Sequence, residues 1–245
     1  MEKVVYALWR GREQRRAAFN ARLLAALPEA LANAGAGGMR INLRDAQVDP
    51  AAGLVQQWQQ PQQDAVVQCW LPSANALFRG AADRAIGGLC DRFAAWLVCE
   101  STVIANMAHP PVAGQRTWGW SQASFITFRA EVGRESALRH WHGHHTRVAI
   151  DTQSNFEYVQ NAILCPLTLD APAYDAFVEE CFPPEAMTDP AAFFAAEGDP
   201  GRFKANLAAM MDSCRAFLDF TRNDIIPTSQ FDFPTSSRSG RLLQT

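Results

Sequence analysis

The sequence lacks any hydrophobic run of the roughly 20 residues that a membrane-spanning helix needs, because charged residues interrupt every apolar stretch. Residues 1–6 (MEKVVY) also lack the basic start, apolar middle and small-residue cleavage site of a signal peptide. The chain has no excess of positive charge either: 22 basic and 25 acidic residues give a net charge of -3, without a basic stripe interleaved with aromatic residues. We therefore expect a cytoplasmic protein that binds neither membranes nor nucleic acids.

Cysteine motifs and nucleotide-binding loops are absent as well. The six cysteines are scattered without C-x-x-C or similar spacing, which indicates buried thiols and argues against a disulfide framework or a zinc site. The sequence has no phosphate-binding loop of the G-x-G-x-x-G or G-x4-G-K-[ST] type. Since 48% of the residues are hydrophobic, the chain can build packed cores. We expect a globular protein that uses no cofactor.

Apolar periodicity divides the first half of the chain into short strands and two amphipathic helices. Alternating or β-branched apolar runs predict strands at residues 4–9, 39–44, 64–70 and 98–107. Large apolar residues every three or four positions predict helices at 13–31 and 81–97, the second with Phe93 and Trp96 on its buried face. The order β-α-β-β-α-β is that of a ferredoxin-like plait, which we assign to residues 1–110.

The same order recurs after a linker rich in proline and glycine, residues 111–121. Predicted strands at 124–129, 155–164, 174–182 and 223–233 and helices at 134–149 and 203–220 form a second plait within residues 122–245, with a short extra helix near 190–197. The sequence G-R-E opens the first helix of each half, at 11–13 and 133–135. We therefore predict an α+β fold of tandem ferredoxin-like plaits, whose two sheets close into an intrachain dimeric-type α/β barrel.

Four of the five histidines lie within residues 140–145, inside the sequence RHWHGHHTRVA (139–149). On the predicted helix, Trp141 and His145 share the apolar stripe that faces the sheet, where the first repeat has Leu23 in place of His145. An inward-facing histidine is either a satisfied core residue or, if burial keeps it neutral, a general base. His140 and His144 have the i, i+4 spacing of metal ligands, but no third ligand is near them in the sequence, and a solvated helix face is favoured.

The segments HWHGHHTRVA (140–149) and FEYVQNAI (156–163) resemble the signature of the EthD family of dimeric α/β barrels. That signature has an aromatic residue on the first helix, a histidine four positions later and a Y-x-Q-N-like strand, here matched by Trp141, His145, Tyr158, Gln160 and Asn161. The first half has neither the histidine nor Y-V-Q-N, so the resemblance implies a double-length member with a degenerate first copy. It also implies a cavity between helices and sheet that holds a small aromatic or polyketide-like molecule.

A neutral base beside hydroxyl and amide donors suits proton transfer next to a carbonyl or phenol. The leading hypothesis is a cofactor-independent lyase of the dehydratase type, or an isomerase or cyclase, with His145 as general acid and base and Tyr158 as the donor to the oxyanion. The predicted substrate-binding residues are Trp141, Gln160, Asn161 and Arg129. Because side chains alternate along a strand, Asn161 is expected on the face opposite to Tyr158 and Gln160.

Three alternatives stay open at this point. The protein could be a haem-dependent oxygenase with a histidine as axial ligand, a cofactor-free oxygenase, or a small-molecule-binding protein without activity. The polar face of the second predicted strand offers further pocket candidates: Arg40, Asn42 and Arg44. A homodimer is also compatible with the sequence.

Overall fold

Residues 1–234, the part of the chain that the computed structural model describes, contain eight strands and six α-helices. The strands are β1 (Glu2–Trp9), β2 (Gly38–Leu43), β3 (Ala65–Leu71), β4 (Arg92–Ile104), β5 (Trp120–Ile126), β6 (Glu157–Pro166), β7 (Ala176–Phe182) and β8 (Asp224–Pro234). The α-helices are α1 (Arg16–Asn33), α2 (Ala76–Gly87), α3 (Arg134–His140), α4 (Thr146–Thr152), α5 (Pro190–Phe193) and α6 (Pro200–Arg215). Two 3-10 helices cover Ala46–Leu54 and Pro184–Met187, and a π-helical turn, Trp141–His145, joins α3 to α4.

The eight strands close into one antiparallel barrel, in the order β1-β3-β2-β8-β5-β7-β6-β4. Within each half the second strand and the fourth strand lie at the two edges of a four-stranded sheet, which is the ferredoxin-like arrangement. Each edge then pairs with an edge of the other half: β2 with β8, and β6 with β4. The predicted α+β fold, with two plaits forming a dimeric-type barrel within one chain, is confirmed for the described residues. The last part of the second predicted plait, residues 235–245, lies outside them.

The second helix of the first half differs from its prediction. It covers Ala76–Gly87, and Phe93 and Trp96 belong to β4, where Phe93 faces the helices and Trp96 faces the barrel interior. The reason is that the run FAAWLV (93–98) is apolar on both faces, and periodicity cannot separate a buried strand of this kind from a buried helix. Helix α1, in contrast, continues through Pro28 to Asn33.

The space between helices and sheet in the first half is filled by side chains. Phe19, Leu23, Leu27 and Leu31 of α1 are all fully buried against the outer face of the sheet. Burial of each such side chain contributes roughly 1.5–3 kcal/mol. Leu23 and His145 occupy matching positions in the two halves. Leu23 is a packed core residue, whereas His145 lines a cavity.

The barrel interior is apolar at one end and charged at the other. At the charged end Arg40 donates to both carboxylate oxygens of Asp232 at 2.7 and 2.9 Å, to Glu157 at 2.7 Å and to Glu179 at 2.8 Å. Burial alone would raise the pKa of Glu179, but the Arg40 charge and amide hydrogen bonds lower it below the ordinary value. This cluster joins strands of both halves, so Arg40 and Asn42 are structural groups of the barrel interior and do not form a ligand pocket.

No helix in the described part of the chain is both long enough and apolar enough to cross a membrane.

Candidate active site

A cavity of about 680 Å³ lies between the outer face of the second sheet and the helices that cover it. Its floor is formed by β5, β6 and β7, and its walls by the π-helical turn, α5, α6 and the two 3-10 helices. Most lining residues are apolar, and the aromatic ones are Trp141, Tyr158, Phe193, Phe194, Phe217 and Phe220. A volume of this size falls within the range of small-molecule sites. The second half therefore has a cavity at the layer that leucines fill in the first half.

The π-helical turn sets the direction of Trp141 and His145. A regular helix would place Leu138 and Val148 on the same inward face as Trp141 and His145. With the wider turn the fully buried positions are instead Ala137 and Ala149, four residues before Trp141 and four after His145. Such turns leave a main-chain carbonyl without its regular partner. Here the carbonyl of Trp141 accepts instead from the N–H of Thr146, and the hydroxyl of Thr146 donates to the same oxygen at 2.8 Å. Both predicted inward-facing residues are buried at the cavity wall.

Tyr158 lies on β6 below this turn, with its hydroxyl held from two sides. Gln160 Nε2 donates to Tyr158 Oη at 2.7 Å and to Thr146 Oγ1 at 2.8 Å, and Trp141 Nε1 donates to Tyr158 Oη at 3.3 Å. Burial, together with the nearby carboxylate of Glu180, raises the pKa of Tyr158 above its ordinary value. Tyr158 therefore keeps its proton at neutral pH, and its oxygen already accepts two hydrogen bonds.

His145 is buried between the cavity and α6. Its Nδ1 lies 2.9 Å from Ser213 Oγ, and its ring packs 4.9 Å from the ring of Phe217. Burial lowers the pKa of His145 to about 4, with a further contribution from the charges of His140 and His144. The imidazole is consequently neutral at physiological pH.

Glu180, which the sequence reasoning did not select, lies on β7 with its carboxyl group at the cavity. The residue is 7% exposed, and Asn155 Nδ2 donates to its Oε1 at 2.8 Å. Burial raises the pKa of Glu180 to about 7, although the Asn155 hydrogen bond opposes that rise. The sequence AFVEECF of this buried strand contains the information that could have identified Glu180. Adjacent residues of a strand point to opposite faces of the sheet, and because Glu179 faces the barrel interior, Glu180 faces the helices.

The structure brings Trp141, His145 and Tyr158 together at one cavity, while the remaining predicted residues lie elsewhere. Gln160 orients Tyr158 and does not line the cavity. Asn161 is fully buried on the barrel side of β6, as strand alternation requires, and this corrects its prediction as a substrate-binding residue. Arg129 is corrected too, because it lies at the surface, where it donates to Glu131 and to the carbonyl of Arg215.

The other histidines do not form a metal site. Across residues 1–234 no group of three or more His, Cys, Asp or Glu side chains is placed to hold a metal ion. His140 instead contacts Ser213, and His144 is exposed. The six cysteines are unpaired thiols, as expected, but only Cys69 and Cys181 are buried, and Cys99 and Cys165 are exposed. Burial raises the pKa of Cys214, which lines the cavity, to about 12.

Comparisons with known proteins bear on the fold. No family model matches this sequence, and no curated protein matches it either. Among solved structures, an anthrone oxidase-like protein is similar over 98% of this chain and 96% of its own length, with 9% identity and a TM-score of 0.58.

Weaker similarities, also at 9% identity, are found to a protein assigned as a monooxygenase from Lactobacillus acidophilus (95% of each chain, TM-score 0.49) and to one assigned as a chlorite dismutase (95% of this chain, 96% of the other, TM-score 0.47). At this identity a likeness shows the fold alone, and the EthD resemblance stays a prediction. The topology and the overall similarity agree that this chain has the dimeric α/β-barrel fold, with both halves of the barrel in one polypeptide.

Proposed function

We propose that this protein is an enzyme that binds an aromatic or polyketide-like small molecule in the cavity and moves a proton at a carbon next to a carbonyl or phenol, without a cofactor. The observation that carries the proposal is the buried carboxyl group of Glu180, which lines a mostly apolar cavity together with His145 and Tyr158 and has a pKa of about 7. A general base is most effective when its pKa is near the working pH. A carboxyl group of ordinary pKa would be a weaker base for a carbon acid.

The cavity offers the second requirement of such a reaction, which is stabilisation of the anion that forms. When a C–H bond next to a carbonyl breaks, negative charge collects on the carbonyl oxygen, and a fixed O–H or N–H donor stabilises it. Tyr158 keeps its proton and is held by Gln160 and Trp141, so its hydroxyl is already oriented. The aromatic walls suit a flat ligand.

The favoured reaction class is a lyase of the dehydratase type, with isomerase or cyclase next. In an elimination, the C–H proton passes to Glu180, the electron pair forms the new C=C bond, and the C–O bond breaks as the leaving oxygen takes a proton and departs as water. One group must accept a proton and another must supply one, and Glu180 with Tyr158 or His145 offers both roles. An isomerase would use the same first step and return the proton to another carbon.

A cofactor-free oxygenase is the second candidate. The chain resembles in fold a protein described as anthrone oxidase-like. An anthrone has an acidic CH2 group opposite its carbonyl, so its reaction with dioxygen would begin with the same proton abstraction by Glu180. Lyase and oxygenase then differ in the step that follows the carbanion, and consumption of dioxygen distinguishes them.

A haem-dependent reaction fits this cavity poorly. Haem carries two propionate groups, which proteins commonly hold with cationic side chains, but the lining residues from Pro50 to Ile225 include no lysine or arginine. The acidic side chain among them, Glu180, would repel the propionates once ionised. We therefore derive no step through haem.

The test uses anthrone as the probe and follows two signals, the replacement of its CH2 protons by deuterium in D2O and the uptake of dioxygen. We expect the protein to accelerate deuterium exchange over buffer, and Glu180→Gln to reduce the acceleration by roughly 10²–10⁴-fold. His145→Leu, which introduces the residue of the first repeat, should also abolish turnover while the fold is retained. Glu185→Gln, which changes an exposed carboxylate on the neighbouring 3-10 helix, is the matched control.

Dioxygen uptake in step with exchange would favour the oxygenase candidate over the lyase. Full activity in both Glu180→Gln and His145→Leu would reject catalysis at this cavity. Ligand binding that is unchanged in both variants, without any turnover, would identify a binding protein.

A further inference from the structure

The proton positions around Ser213 can be assigned from hydrogen-bond chemistry. His140 Nε2 lies 3.1 Å from the main-chain carbonyl oxygen of Ser213 and 3.1 Å from its Oγ. A carbonyl oxygen can only accept, so His140 Nε2 must carry a proton and donate it. The hydroxyl oxygen of Ser213 then accepts from His140, which directs its own proton to its remaining neighbour, His145 Nδ1, at 2.9 Å.

This chain of donors determines the tautomer of His145. If Ser213 Oγ donates to Nδ1, that nitrogen carries no proton, and a neutral imidazole must carry its single proton on Nε2. The ring is neutral because it is buried, and two further histidines near it oppose a positive charge. Since Ser213 occupies Nδ1, the edge of the ring left for a ligand in the cavity is the one that bears Nε2–H.

The charges around the cavity restrict the ligand further. Among residues 1–234, those that line the cavity include Glu180 but no lysine or arginine, so a carboxylate or phosphate on the ligand would find no cation to pair with among them. A carbonyl oxygen, in contrast, can accept from His145 Nε2–H or from the Tyr158 hydroxyl. An acidic C–H or O–H on the ligand can face the Glu180 carboxylate.

We propose that His145 is a fixed hydrogen-bond donor to the carbonyl oxygen of an uncharged ketone, or to the hydroxyl oxygen of a phenol, with Glu180 as the base, and that Ser213 and His140 are positioning residues that hold this tautomer. The proposal deepens the proposed function at the same cavity and rests on it. In the step it describes, a C–H bond next to the carbonyl breaks and the proton goes to Glu180. The electron pair moves to the carbonyl oxygen, which His145 and Tyr158 stabilise while each keeps its own proton. His145 is then not the base that the sequence suggested.

The first experiment measures the tautomer directly, by long-range 1H–15N NMR of the histidine rings in the full chain. We expect His145 as the neutral Nε2–H form at about pH 7, Ser213→Ala to convert it to a mixture of both tautomers, and Ser213→Thr, which keeps the hydroxyl, to preserve the Nε2–H form. Ser136→Ala, an exposed serine on α3, is the control and should leave the tautomer unchanged. Observation of the Nδ1–H form, or of a charged ring, in the unmodified protein overturns the assignment.

The second experiment measures the ligand class with two probes of similar shape, the ketone 2-tetralone and the anion 2-naphthoate. We expect 2-tetralone to bind at least about tenfold more tightly, which corresponds to about 1.4 kcal/mol. Equal or tighter binding of 2-naphthoate, or no binding of 2-tetralone, overturns the uncharged-ligand inference. Deuterium exchange at C1 of bound 2-tetralone reports the catalytic step separately. Binding and the Nε2–H form without exchange would support His145 as a donor and refute the proposed function.

Discussion

Replacing Glu180 by glutamine is expected to stabilise the protein at alkaline pH while it removes the proposed base. The carboxyl group is buried, and its pKa rises from the ordinary 4.5 to about 7 in the folded protein. Because the folded-state pKa is raised, the stability of the neutral form is fully present below about pH 4.5 and is lost as the pH rises to about 7. Above that range the folded state holds a buried negative charge that the unfolded state hydrates freely.

The magnitude follows from the two pKa values. A difference between 4.5 and about 7 corresponds to a loss of about 3 kcal/mol in the free energy of unfolding. Glutamine occupies nearly the same volume, and its amide oxygen can still accept the hydrogen bond that Asn155 donates at 2.8 Å. We therefore expect Glu180→Gln to match the unmodified protein at about pH 4.5 and to exceed it by up to about 3 kcal/mol at about pH 8.5.

The assay is urea unfolding of both proteins at several pH values between about 4.5 and about 8.5. An equal slope of the free energy of unfolding against urea concentration in the two proteins would show that their unfolded states are comparable. The exposed variant Glu185→Gln should differ from the unmodified protein by no more than about 0.5 kcal/mol at any pH. A stability difference for Glu180→Gln that does not grow between about pH 5 and about pH 8 would refute the reasoning. In that case the carboxyl group would be hydrated through the cavity, and its role as a base of near-neutral pKa would be withdrawn.

Two further predictions concern the other buried ionisable groups. Burial lowers the pKa of His145 from 6.5 to about 4 in the folded protein, so about 3 kcal/mol of stability that is present above pH 6.5 should be lost as the pH falls to about 4. In urea unfolding, His145→Leu should remove this loss of stability at acid pH. The same loss in His145→Leu as in the unmodified protein would contradict a neutral, buried ring. Arg40→Met leaves the carboxylates of Glu157, Glu179 and Asp232 without their cation and should cost about 3–5 kcal/mol at neutral pH, part of which returns on acidification, whereas a loss below about 1 kcal/mol would show that the cluster is not an energetic link between the halves.

The sequence predicted the fold because both halves have the same order of elements. In most of these elements the spacing of apolar residues distinguishes a strand, with a period of about two, from a helix, with a period of about 3.6. It misassigned Phe93 and Trp96 where both faces of a strand are buried, since an apolar run without alternation has no period to read. On either side of the π-helical turn, the buried residues are Ala137 and Ala149, each one position further out than a regular helix would place them. The sequence did not reveal this turn, because the spacing of apolar residues alone does not identify an inserted residue in a helix. Gly143 in the middle of that turn was the one local hint.

The candidate site was predicted in part for a similar reason. Trp141, His145 and Tyr158 stand out as unusual polar or aromatic residues at inward positions, and the structure places all three at one cavity. Glu180 was missed because its raised pKa is a consequence of burial under the helices that cover the sheet, which the sequence does not show. The tautomer of His145 depends on Ser213, 68 positions further along the chain, and no local pattern reports that contact.

The reciprocal pairing of the two halves has a consequence for how the chain folds during synthesis. Strand β2 completes its hydrogen bonds only when it pairs with β8, which ends at Pro234, so the first half must wait with an open sheet edge while most of the second half is being made. An unpaired edge of this kind can pair with another unfinished chain. Truncation before β8 should therefore leave β2 and β5 each with one unpaired edge and favour aggregation over a smaller soluble barrel. Closure of the barrel thus requires β8, the last of the eight described strands to be synthesised.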